Sequence, residues 1–197
     1  MTTYADNIMI DLETMGTRPT SMFLSIAAVC FDPFSGQMIG EPFYSRVDLN
    51  SYQALAYQGY PAFTYDVSTL EWWMGNTISA DARLEAFVNK PRYDVREVLE
   101  KFIQWCNGFV SRTSIKPWSH GASFDIPILE NTMSLLGLTI PWKFWDARDT
   151  RTLFDIAKIR YADVVSPEAK KYPAHHALGD CFRQIEGVKQ SLRKIKM

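Results

Sequence analysis

The chain has 197 residues, 47% of them hydrophobic and 22% charged, a composition of ordinary globular proteins that excludes the disordered, collagen-like and low-complexity classes. Its 21 Lys and Arg against 22 Asp and Glu leave a net charge of −1, so there is no overall basic excess to hold long nucleic acid by counterion release. At roughly 150 residues per domain, this length predicts a single domain over 1–197.

Asn7 to Leu12 is a nearly continuous apolar run, the pattern of a strand buried on both faces of a sheet, and it delivers Asp11 near its end. Met22 to Phe31 reads as a second such strand, and Asp32-Pro33-Phe34-Ser35-Gly36 supplies turn chemistry before a third, over Gln37 to Val47. From Leu49 to Pro91 the pattern is mixed, with short helices expected at Ser68 to Met74 and Ser79 to Val88. The clearest helix runs from Asp94, a good N-cap, to Ser111, because Val95, Val98, Leu99, Phe102, Ile103, Cys106 and Phe109 recur at three- and four-residue intervals. A strand over Ile115 to Ser119 leads through Gly121 into a helix with Ile126, Leu129, Met133 and Leu136, closed by Gly137. A short aromatic strand over Trp142 to Trp145 follows, then a helix from Asp149 or Thr150. The last helix carries Ala177, Leu178, Cys181, Ile185, Val188 and Leu192 on one stripe. Strands first, then strands alternating with helices, predict an α/β sandwich on a mixed central sheet that binds ligand near the strand carboxyl ends.

Cys30, Cys106 and Cys181 are far apart, with no C-x-x-C pair, which predicts three reduced, mostly buried thiols and neither a disulfide framework nor a cysteine zinc site. The apolar run from Met22 is shorter than the ~20 residues of a spanning helix. The start, Met1 to Asp6, lacks the basic and apolar segments of a signal peptide. A cytoplasmic protein with no membrane partner is the expectation.

Acids stand out in three places. Asp11-x-Glu13 ends the first strand, where positions i and i+2 share a face and two acids are costly without a compensating cation; as a pair alone it also fits a solvated strand end. Asp125 follows a glycine turn and fits equally an N-cap. Asp180 lies near the start of the last helix, just after His175 and His176, two of the chain's 3 histidines.

Together these segments resemble the DEDD superfamily of 3′-to-5′ exonucleases, in its histidine branch. Ile10-Asp11-Leu12-Glu13-Thr14-Met15-Gly16 is similar to the first exonuclease motif, Phe124-Asp125 to the second, and His175-x-Ala177-x-x-Asp180 to the third. The first of these, with Glu71-Trp72-Trp73 and Phe144-Trp145-x-x-Arg148-Asp149-x-Arg151-Thr152, is similar to phage and prophage exonucleases, a cluster that includes a mycobacterial exoribonuclease group. One position departs: the family carries Asn four residues before its second-motif Phe, where this chain has His120, which touches local hydrogen bonding more than metal ligation.

The resemblance implies a DnaQ-like, RNase H-like fold and a two-metal exonuclease of single-stranded DNA or RNA 3′ ends that releases nucleoside 5′-monophosphates. DNA is slightly favoured by the phage likeness. Oxygen ligands without a cysteine or multi-histidine cluster suit Mg²⁺ or Mn²⁺. Asp11 is expected to bridge the two ions, Glu13 and Asp180 to complete the first site, and Asp125 to serve the second. The general base is expected to be a histidine, the side chain that ordinarily titrates near neutral pH. Were both histidines helical, His176 at i−4 would lie about 40° from Asp180 and His175 about 140°; Pro173 places His175 in the approach loop instead, and the family spacing selects it. His176 is then a packing or surface residue. For substrate, Thr14 and Met15 are expected to meet the terminal nucleotide by backbone and wedge, and Trp73 or Phe124 to stack on a base. One of Trp72 and Trp73 is expected to pack. Arg148 and Arg151 are candidates to hold phosphate, while Arg148-Asp149 equally suits an internal ion pair. The competing classes are a silent nucleic-acid- or partner-binding module and a proofreading subunit; a homodimer is compatible with the resemblance and selected by nothing in the residues.

Overall fold

The structure, a computed structural model, describes residues 6–109 and 114–196. Five strands form its centre: β1 (Asn7–Thr14), β2 (Phe23–Cys30), β3 (Phe43–Arg46), β4 (Lys116–Ser119) and β5 (Arg148–Asp149). They lie in the order β3-β2-β1-β4-β5, with β2 antiparallel to both β1 and β3 and with β1, β4 and β5 parallel. This is the mixed α/β sheet expected.

The helices are α1 (Leu49–Tyr57), α2 (Val67–Met74), α3 (Ala80–Arg83, continued by a π turn over Leu84–Val88), α4 (Val95–Asn107), α5 (Asp125–Leu135), α6 (Thr150–Ala157) and α7 (Ala177–Ile195). Because side chains alternate along a strand, β1 feeds two layers. Ile8, Ile10 and Leu12 enter a core with Val98, Leu99 and Phe102 of α4 and Ile126 and Leu129 of α5. Met9 faces the other way, onto Leu178, Cys181, Ile185 and Val188 of α7. Burying Leu178, Ile185 and Val188 stabilises the fold by roughly 1.5–3 kcal/mol each, which ties α7 and its Asp180 to the sheet. All three cysteines are buried. A smaller cluster joins Met15 and Leu24 to Trp73, Ile78, Ala82 and Ala86.

Several boundaries differ from those read in the sequence. The third strand shrinks to Phe43–Arg46 because Gly40 takes a left-handed turn and Met38 makes only an isolated bridge to Phe31. Trp142 likewise makes a single bridge to Ile115, Phe144–Asp146 is a 3₁₀ turn, and the edge strand is the two-residue β5. Helix α1 was not anticipated, since only Ser51, Tyr52 and Leu55 of it are buried. Asp94 caps α4 by accepting from the Arg96 N–H; the expected end of that helix, at Ser111, lies outside the described residues. No helix among the described residues is long and apolar enough to cross a membrane.

Candidate active site

The strands β1 and β4 pair only as far as Met9 and Trp118, and beyond that point they part. The Leu12 N–H therefore needs another acceptor. It donates to Asp125 Oδ1 at 3.1 Å, so the first residue of α5 is tied to the end of β1. Asp125 is thus not an N-cap: that position is Phe124, and no side chain caps this helix.

Asp11 and Glu13 share the sheet face on which α7 lies, and Asp180 in the first turn of α7 comes down onto them. One carboxylate oxygen from each of Asp11, Glu13 and Asp180 lies within 4.8 Å of the others. This cluster could hold a divalent cation. Gln184, one turn after Asp180, donates from Nε2 to Asp11 Oδ1 at 2.7 Å, and Tyr161 donates from its hydroxyl to Asp180 Oδ1 at 3.2 Å.

The electrostatics agree. Burial, then the charges of Asp180, Asp125 and Glu13, push the Asp11 carboxyl well above the usual carboxylate range. Glu13 is raised by burial and then by Asp180 and Asp125. Burial takes Asp125 up to about 7 and also raises Asp180 against the Tyr161 hydrogen bond and the nearby His175 and Arg183. Buried acids that repel one another persist where something positive relieves them, and an all-oxygen donor set fits a hard ion such as Mg²⁺ or Mn²⁺.

His175 lies before α7, in a left-handed conformation with φ 57°, and lines the same cleft as the carboxylates. It is in the approach loop, as Pro173 indicated. His176 is the N-cap of α7: it is buried, accepts from the Leu178 N–H at Nδ1 (3.2 Å) and is sandwiched between Tyr44 and Tyr172. It is a packing residue. Its other nitrogen faces Glu85 on the π turn, 3.7 Å away, and Glu85 also binds Arg46 and accepts from the Tyr44 hydroxyl.

The cleft holds about 580 Å³ and is lined by Asp11, Glu13, Asp125, His175 and Asp180, with Phe124 and Arg151 on its wall. A second cavity of about 340 Å³ adjoins it, sharing Leu12, Glu13 and Phe124, and includes Thr14 and Trp72. Other expectations separate here. Trp73 also lines this second cavity, but it is 1% exposed, in the core with Met15, and its indole N–H donates to Thr14 O at 3.0 Å, whereas Trp72 is 42% exposed. Met15 and Thr14 are equally buried, each 8% exposed, and of the two Thr14 lines the second cavity. Arg151 stands over Gly121 in the cleft, but Arg148 donates to the carbonyls of Ala147 and Trp145 and does not line it. Asp149 caps α6 through the Thr152 N–H and accepts from the Ala122 N–H.

Three residues at the site were not singled out for it in the sequence: Gln184, Tyr161 and Arg183. Only Gln184 carried a signal, as a polar residue one helical turn from Asp180 on an apolar-striped helix. His120, the departure from the family pattern, stacks on Tyr161 with ring centroids 4.2 Å apart and bonds Thr150 through Nδ1 at 2.8 Å. It therefore braces the ring whose hydroxyl meets Asp180.

The fold is that of the DEDDh, DnaQ-like 3′-to-5′ exonucleases. The nuclease domain of 3′hExo, described as a DEDDh family member bound to rAMP, superposes with TM-score 0.54 at 15% identity, covering 96% of this chain and 93% of that one. Exonuclease I of Methylocaldum szegediense gives 0.54 at 17% identity, covering 95% of this chain and 40% of that one; the chain thus spans well under half of the exonuclease I it matches. A phage T4 exodeoxyribonuclease is 27% identical over 95% of this chain and 89% of its own length. The chain belongs to the family described as the 3′-5′ exoribonuclease Rv2179c-like domain, whose model matches residues 6–192.

Proposed function

We propose that the protein is a two-metal-ion 3′-to-5′ exonuclease that hydrolyses the last phosphodiester of a single-stranded nucleic acid and releases a nucleoside 5′-monophosphate. The observation that carries this reading is the convergence of Asp11, Glu13 and Asp180 within 4.8 Å, with Asp125 tied to the same strand end and His175 on the same cleft. Asp11, Glu13 and Asp180 would hold one ion, and Asp11 with Asp125 a second. When bound, such ions make water nucleophilic at neutral pH and relieve charge on the leaving oxygen.

The chain's own residues do the rest. His175 takes a proton from the attacking water on a ring nitrogen; it stands beside Asp180, whose carboxyl it pulls down. Gln184 and Tyr161 hold Asp11 and Asp180 in fixed rotamers, so little reorganisation is needed at the moment of reaction. Arg151 meets a phosphate of the strand. A small net charge is compatible with this, because a short 3′ end requires only local contacts.

DNA is the first substrate reading, on the likeness to the T4 exodeoxyribonuclease. RNA is the second, favoured by the family's description as an exoribonuclease domain. Sequence-matched DNA and RNA oligonucleotides, 5′-labelled and incubated with Mg²⁺ and then with a chelator, test both: the account expects stepwise shortening from the 3′ end that stops on chelation. Shortening from the 5′ end, or none with either polymer, would count against it.

A further inference from the structure

Besides Leu12, Glu13 and Phe124, which line both cavities, one aromatic side chain links them. Trp72, on the exposed side of α2, lines the smaller cavity with Phe124 and Thr14, yet its ring also abuts the imidazole of His175, a wall of the larger one. The contact is edge-on, with centroids 4.8 Å apart and planes at 81°. Behind it, Trp73 packs against Trp72 at 5.0 Å and is fixed by its hydrogen bond to Thr14 O. His175 itself sits in a left-handed conformation uncommon for a residue with a Cβ, and its ring contacts both Trp72 and Trp73. At about 340 Å³, the smaller cavity is near the low end of small-molecule sites (roughly 300–1,000 Å³), the scale of a single nucleoside. Leu12 and the aromatic rings give it apolar walls, joined by the Glu13 side chain and by the hydroxyl-bearing Thr14, Thr17, Ser68 and Thr69.

We infer that Trp72 is a positioning residue that couples occupancy of the smaller cavity by the 3′-terminal nucleobase to placement of the His175 imidazole over the larger one. The inference rests on the reading of His175 as the general base and adds to it. A base packed between Trp72 and Phe124 holds the indole still, and the indole in turn limits the rotation of the imidazole, so a correctly seated terminus speeds the proton transfer as well as binding. Stacking platforms accept any base, because each has a π face, so the device senses that a base is present and is indifferent to its identity.

The test compares two oligonucleotides of the polymer the enzyme cleaves, identical except that one ends in an abasic 3′ residue keeping its hydroxyl. Single-turnover rates at saturating enzyme separate the chemical step from binding. The wild type should remove the abasic residue about tenfold more slowly than the intact one even at saturation, a size within the range of one lost stacking contact. Trp72→Ala should remove both at the same reduced rate, and Trp72→Phe should restore the difference. A Trp72→Ala variant that keeps the wild-type ratio at saturation, or a wild type whose abasic penalty lies wholly in KM, would overturn the coupling. Failure of the wild type to shorten the intact oligonucleotide with Mg²⁺, or full activity of His175→Ala, would overturn the underlying reading and the inference with it.

Discussion

Replacing Asp125 by Asn should stabilise the metal-free protein while abolishing its activity. The Asp125 carboxyl is raised from 3.8 to about 7 by burial. Its folded-state pKa lies above the unfolded one, so its favourable contribution is complete below about 3.8 and is lost as pH rises through about 7. At pH 8 that shift of about three pKa units corresponds to a cost on the order of 4 kcal/mol. Asn keeps an oxygen for the Leu12 N–H but lacks the second carboxylate oxygen, a loss of about 1 kcal/mol, which leaves a net gain of about 3 kcal/mol. For a chain of this size that is roughly 6–12 °C in Tm. At pH 5 the wild-type group is protonated in the folded state and charged only when unfolded, and the net gain drops below about 1 kcal/mol. Thermal unfolding in chelator at pH 5 and pH 8 reads this directly. Adding Mg²⁺ at pH 8 should raise the wild-type Tm more than that of the variant. A variant that melts below the wild type at pH 8, or by the same margin at both pH values, would refute the reasoning.

The neighbouring histidines should part company: His175→Ala should lower the single-turnover rate by roughly 10²–10⁴-fold with Tm unchanged, whereas His176→Ala should lose about 1 kcal/mol as a lost N-cap, seen in denaturant unfolding. The opposite pattern would exchange their roles. Arg151→Ala should raise KM and weaken its salt dependence, while Arg148→Ala, whose wild-type side chain is taken up by backbone carbonyls, should change neither; kinetics at two ionic strengths check both. A Cβ at Gly187 would lie 2.4 Å from Phe154 Cζ, so Gly187→Ala should destabilise by about 1–3 kcal/mol, measured as a fall in the urea midpoint. An unchanged midpoint would mean that α6 yields freely against α7.

What could be read from the sequence, and what could not, follows from the range of the forces involved. Asp11 and Glu13 were legible because a strand buried on both faces is an unusual place for acids. Asp180 by itself suited ordinary helix-dipole chemistry, and the resemblance of His175-x-Ala177-x-x-Asp180 to the third exonuclease motif singled it out. The mixed sheet followed from the order of runs and turns. Between the adjacent Trp72 and Trp73, though, helical spacing could not choose the inward ring, since that depends on the Thr14 carbonyl waiting 59 residues away. Asp125 looked as suited to capping as to the site, because its partner, the Leu12 N–H, is freed only where β1 and β4 diverge. Tyr161 lies in a segment without periodicity, and only the folded chain brings its hydroxyl to Asp180.

The most direct test of the central claim is diffraction from crystals soaked in Mn²⁺, recorded for anomalous scattering. The account predicts two peaks roughly 3.5–4 Å apart, one among Asp11, Glu13 and Asp180 and the other between Asp11 and Asp125, both lost in an Asp11→Asn crystal. Manganese bound elsewhere, with these four carboxylates left bare at saturating Mn²⁺ and neutral pH, would contradict it.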